Sequence, residues 1–135
     1  MAVIYSLSEA VRVADARVTG FTGLYRVVLA AEALFGLALL IVPGWMTEVF
    51  ALKEGAYTAV WGAFLLWSVL FQVPGVMNPV HSRLPVVIGV VGRYLVAIVY
   101  LTQALWLPAI VTAAFALGLN VVYYRMVLSV LMSRP

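Results

Sequence analysis

Glu32 and Arg93 are the residues of this chain whose surroundings most need a chemical explanation. Each interrupts a long apolar segment, RVVLAAEALFGLALL around the glutamate and PVVIGVVGRYLVAIVYL around the arginine. A charge near the centre of such a helix costs about 2.5–3.5 kcal/mol on insertion scales. Arginine stays protonated whatever its surroundings. A carboxylate in that position serves as a proton carrier, as an acid–base catalyst, or as one half of an ion pair.

The elements that position these residues follow from hydropathy. Mean hydropathy is +1.13, 66% of residues are hydrophobic and only 10% are charged. A soluble domain averages about 25% charged residues, so this composition predicts an integral membrane protein. Four apolar segments are predicted to span the bilayer as helices, at about 21–42, 56–73, 85–101 and 107–130. Each is near the ~20 residues that cross ~30 Å of hydrocarbon. The first is read as stopping at Pro43-Gly44, the second at Pro74-Gly75, and the third as starting on Pro85. The short, uncharged TQALWLP join makes the last two spans an antiparallel hairpin. GWMTEVFALKEG reads as a short interfacial helix, and Met77-Asn78-Pro79 as a turn. Residues 1–20 lack the continuous apolar core of a cleavable signal. They read as an amphipathic leader with a Ser6/Glu9 capping box and a stripe of Leu7, Ala10, Val11, Ala14 and Val18. That leader either lies on the membrane or a partner, or merely orients the first span. The expected fold is thus all-α: a single membrane domain over residues 1–135, a four-transmembrane-helix bundle with an N-terminal amphipathic helix.

Four crossings put both termini and the second-to-third loop on one side. That side carries Arg12, Arg17, Arg83 and Arg134, with Arg26 and Arg125 near it, whereas the other carries Lys53 beside Glu48 and Glu54. The positive-inside rule makes the arginine side cytoplasmic, in a plasma or bacterial inner membrane. Trp45, Tyr57 and Trp106 then meet the opposite interface. Counting inward from the cytoplasmic ends, Glu32 and Arg93 lie at a similar depth of about 12 Å. Asn120 on the fourth span shares that layer. Gly89 and Ala97 flank Arg93 on one face, with Gly92 beside them, so another helix can approach closely. The expected polar layer is Glu32, Arg93, Asn120 and a tyrosine from Tyr123 or Tyr124, with Glu32 and Arg93 in direct or single-water contact. This layer either fixes helix register or lines a site for a ligand or proton.

Ser68 and Gln72 near the cytoplasmic end of span two, with His81 and Arg83 in the following loop, form a possible head-group site for a quinone or lipid phosphate. The bland alternative is that they simply meet the interface. With no cysteine and one histidine, thiolate metal sites, disulfides, thiol catalysis and a bis-histidine haem are excluded. No phosphate loop, serine triad, metal-ligand spacing or basic nucleic-acid footprint occurs. No metal, cofactor or nucleic-acid partner is expected. No catalytic residue is assigned, Glu32 being the candidate.

YRVVLAAEALFGLALLIVPGWMTEVF, AVWGAFLLWSVL and VVIGVVGRYLVAIVYL together resemble the DoxX-type group of small four-helix membrane proteins, over roughly residues 21–130. That resemblance implies an accessory subunit of a membrane oxidoreductase and carries over no catalytic residue. AAEALFG in the first span is also similar to the membrane-embedded glutamate of small multidrug-resistance transporters. Those place a glycine three residues after the glutamate, whereas Gly36 is four after Glu32. Three functions are therefore weighed. The first is an accessory or structural subunit packed against a larger membrane complex, of redox or energy-converting type, with the bilayer and other subunits as partners. The second is a small isomerase- or cyclase-type enzyme on a lipid-soluble substrate, with Glu32 as acid/base. The third is a small multidrug-resistance-like transporter.

Overall fold

A computed structural model of the protein describes residues 7–50 and 57–133. Those residues form five helices: α1 (Leu7–Ile41), α2 (Pro43–Phe50), α3 (Tyr57–Met77), α4 (Arg83–Thr102) and α5 (Trp106–Met132). α1, α3, α4 and α5 are long and apolar enough to cross a membrane. They form an up-down-up-down bundle in which α1 packs on α3 and α5, and α4 on α3 and α5. α1 and α4 therefore face each other across a diagonal without close backbone approach.

Each long helix turns a seam of period 3.5 inward, as in coiled-coil packing. On α1 it runs through Ala14, Val18, Phe21, Tyr25, Val28, Glu32 and Leu39; on α3 through Thr58, Gly62, Leu65, Val69, Gln72 and Val76. α4 contributes Val86, Val90, Arg93 and Ala97, and α5 Ala109, Ala116, Leu119 and Met126. The outward faces are equally apolar: Leu34, Trp67 and Leu107 are each 69% exposed. Hydropathy alone consequently does not distinguish the inside of this bundle from the outside.

Two expected boundaries are corrected. The leader is not a separate element, because α1 runs unbroken from Leu7 to Ile41. Gly20 and Gly23 lie on open faces, and the seam through Ala14, Val18 and Phe21 carries the helix past them. Arg17 ties this extension to α5: its Nη1 donates to the Arg125 carbonyl at 3.1 Å and to Ser129 Oγ at 2.6 Å. A guanidinium near the C-terminal turns of α5 also complements that helix's dipole. Arg17→Ala is expected to weaken the fold by about 1 kcal/mol or less, since the arginine is exposed. The loss should appear as faster hydrogen exchange in residues 7–20, with α3 and α4 unchanged. The Ser6 half of the expected capping box lies outside the described residues, as do Lys53, Glu54 and Arg134.

The second correction is at Pro74, where α3 does not stop but continues to Met77. Proline forfeits one backbone bond, yet Gly75 and Val76 beyond it are buried. A Cβ on Gly75 would lie 2.7 Å from Val86 Cγ2, so contact with α4 holds the last turn in place. Met77 is the last residue of α3, so the turn falls at residues 79–81, two residues later than the expected Met77-Asn78-Pro79, with Ser82 N donating to the Asn78 carbonyl at 2.8 Å. α4 and α5 form the anticipated hairpin, closed by Ala104 in the left-handed region at φ 59°. α2 occupies the first part of the expected interfacial segment and buries Met46 and Thr47.

Candidate functional site: an interhelical polar network

Arg93 reaches across the diagonal to Glu32. Its Nε donates to Oε1 and its Nη2 to Oε2, each at 2.6 Å. This fork-on-fork geometry is the strongest form of charge-assisted hydrogen bond. The Arg93 side chain is 6% exposed and that of Glu32 25%. The remaining guanidinium nitrogen, Nη1, donates to Gln72 Oε1 at 2.9 Å.

Gln72 is the hub. Its Oε1 also accepts from the Tyr25 hydroxyl at 2.7 Å. Its Nε2 donates one turn back along α3, to the Ser68 carbonyl at 2.9 Å and Ser68 Oγ at 3.0 Å. Tyr25 adds a face: the Arg93 guanidinium carbon lies 5.7 Å from its ring centroid, within cation–π range. One network therefore joins α1, α3 and α4. Among the described residues no buried side-chain nitrogen or oxygen lacks a hydrogen-bond partner.

Gly89 makes room for the hub. A Cβ there would overlap Gln72 Oε1 and lie 2.9 Å from the Tyr25 hydroxyl. Gly89→Ala is expected to destabilise by about 1–3 kcal/mol, the usual range for overpacking. In a Gln72→Ala background the same change should cost less, the Tyr25 hydroxyl at 2.9 Å being the close contact that remains. A double-mutant cycle on thermal melts in detergent measures this coupling.

Several anticipated residues lie elsewhere. Asn120 is exposed and forms no hydrogen bond to the pair. With Tyr94, Tyr123 and Tyr124 it lines a shallow groove of about 300 Å³ between α4 and α5. Tyr123 approaches the network only through packing, its ring 5.3 Å from that of Phe21, which sits 5.2 Å from Tyr25. The four head-group candidates do not converge. Gln72 turns inward and bonds Ser68, His81 Nδ1 contacts Asn78 Oδ1 at 3.0 Å, and Arg83 Nε donates to the Val80 carbonyl at 3.0 Å. The bundle thus replaces the expected Asn120 with Gln72, and the expected tyrosine with Tyr25. Spacing carried the signal for both: Tyr25 lies seven residues before Glu32, and Gln72 continues the seam of Gly62, Leu65 and Val69.

Comparisons with protein families, with characterised proteins and with solved structures each find no match. Among the described residues no group of three or more His, Cys, Asp or Glu side chains could hold a metal ion. Chemically, the network can hold three helices in register. Neither the α4–α5 groove nor a second one between α1 and α3 is lined by Glu32, Arg93 or Gln72.

Proposed function

We propose that this protein is a small integral membrane protein whose role is structural: an accessory subunit that packs its apolar faces against a larger membrane complex. The observation that carries this reading is the closure of the polar network. Glu32 is held by two arginine donors, the third arginine nitrogen is taken by Gln72, and the hub's amide is bonded within its own helix. Groups so engaged act as interhelical ties. The acid–base reading calls for a substrate cavity at Glu32, and Glu32 lines neither of the two grooves described above. The transporter reading calls for a glutamate free to exchange its proton for a cation, which an arginine fork opposes. The DoxX-type resemblance points the same way, toward a subunit of a redox or energy-converting assembly.

Membrane placement is supported by the outer surface. Large hydrophobic side chains cover α1, α3, α4 and α5 on their outward sides, well beyond what a soluble monomer exposes. Trp45, Tyr57 and Trp106 are exposed at one end of the bundle, as an aromatic belt requires. Arg12, Arg17, Arg83 and Arg125 gather at the other, an asymmetry that favours the cytoplasm of a bacterial-type cell for that end and both termini. Native mass spectrometry on protein extracted gently from its own membranes tests the reading. A fixed stoichiometric assembly with another membrane protein is expected. A lone chain or homo-oligomer would overturn it.

A further inference from the structure

The arginines differ in what answers them. Arg93 is bound by Glu32, Arg17 by α5 and Arg83 by the Val80 carbonyl. Arg26 forms no hydrogen bond or ion pair among the described residues, although it sits well inside the apolar length of α1. If the hydrocarbon layer ends near Ile41, about 20 residues of α1 cross it and the other boundary falls near Thr22. Arg26 then lies about 6 Å inside that boundary, within reach of the head-group layer for a snorkelling side chain.

A groove of about 240 Å³ starts at Arg26 and runs between α1 and α3, lined by Leu29, Ala30, Ala33, Val69, Val73 and Val76. From Arg26 to Ala33 it follows the helix for about 10 Å toward the bundle centre. Ala30 and Ala33 create the depression, being too small to fill the space beside the valines of α3. A cation at one end of an open apolar surface groove matches one chemistry: an anion attached to a hydrocarbon chain. Arg12 and Arg125 line neither groove.

We propose that this groove seats an acyl chain of an anionic phospholipid whose phosphate is held by Arg26. The proposal rests on the membrane placement above. One basic residue near the head-group layer contributes about 1 kcal/mol toward an anionic lipid, or roughly five-fold in retention.

Native mass spectrometry on the full chain, with phosphatidylglycerol and phosphatidylcholine of identical acyl chains supplied in equal amounts, tests it. Roughly five-fold preferential retention of phosphatidylglycerol is expected. Arg26→Gln should bring the ratio near one without changing helicity by circular dichroism. Ala33→Leu, which fills the groove and keeps the charge, should lower retention of both lipids. Excess glycerol 1-phosphate, the head-group anion without a chain, should fail to displace the lipid. Equal retention of the two lipids, or a preference that survives Arg26→Gln, overturns the proposal, and displacement by glycerol phosphate overturns the acyl seat. Retention of neither lipid also overturns the proposal, whereas it is recovery of the chain in the soluble fraction, without membranes or detergent, that would overturn the membrane placement.

Discussion

Arg93→Leu is expected to be among the most damaging single substitutions in this protein, at about 3–5 kcal/mol, because it leaves the Glu32 carboxylate uncompensated within a helix interface. The loss should be read from denaturant titration in mixed micelles, followed by circular dichroism. Arg93→Lys is not expected to rescue it. A lysine lacks the planar fork that meets both carboxylate oxygens at 2.6 Å while leaving a third nitrogen for Gln72. The informative partner is the double variant Glu32→Leu/Arg93→Leu. Removing both charges removes the penalty along with the bond, so stability should return to within about 1 kcal/mol of the parent or exceed it. Gln72 stays satisfied in that variant, since Tyr25 still donates to its carbonyl oxygen. If Arg93→Leu is as stable as the parent, the pair is not a structural tie and the proposed function loses its main support. If the double variant is stable but fails to enter the assembly proposed above, register rather than stability is what the ion pair supplies.

The second large effect lies at the α1–α3 crossing, where Gly36 and Gly62 face each other. A Cβ on Gly62 would sit 2.6 Å from the Gly36 carbonyl oxygen and 3.1 Å from the Leu40 amide nitrogen. Both are backbone atoms, so no side-chain rotation relieves the overlap and the two helices must separate. Gly62→Ala is expected to cost about 1–3 kcal/mol, at the upper end of that range because the obstruction is main chain. Gly36→Ala should cost less: its Cβ would meet the Gly62 carbonyl at 3.1 Å and the Leu66 Cγ at 3.2 Å, distances that a few tenths of an ångström relieve. Thermal melts of the two variants should keep this order. Separation at Gly62 should also lengthen the bond between Tyr25 on α1 and Gln72 on α3, so Gln72→Ala should cost less in the Gly62→Ala background than alone. Equal melting temperatures for the two alanine variants would mean that the crossing is looser than this geometry.

Much of this protein is legible in its amino-acid sequence alone. Four apolar segments of spanning length, the Glu32–Arg93 match in depth, the hairpin at TQALWLP and a turn close to Asn78-Pro79 all follow from composition, spacing and the 1.5 Å rise of a helix. Depth is a linear quantity and can be counted along the chain. Rotation about the helix axis is different. Gln72 and Asn120 are both amides on long apolar helices, each flanked by residues that suit lipid and core equally well, and only one of them turns inward. That choice is made by neighbours remote in sequence: the gap at Gly89 that admits the Gln72 carboxamide, and the Tyr25 hydroxyl and Arg93 nitrogen that bind it. Pro74 and the leader follow the same rule, since packing at Val86 and at Ser129 carries helices through points where local signals favour a stop. In a bundle apolar on every side, hydropathy determines which segments are helices, and packing extends their ends. Which face turns inward is decided by steric fit and by pairing of the few polar groups, and both depend on residues brought together only by the fold.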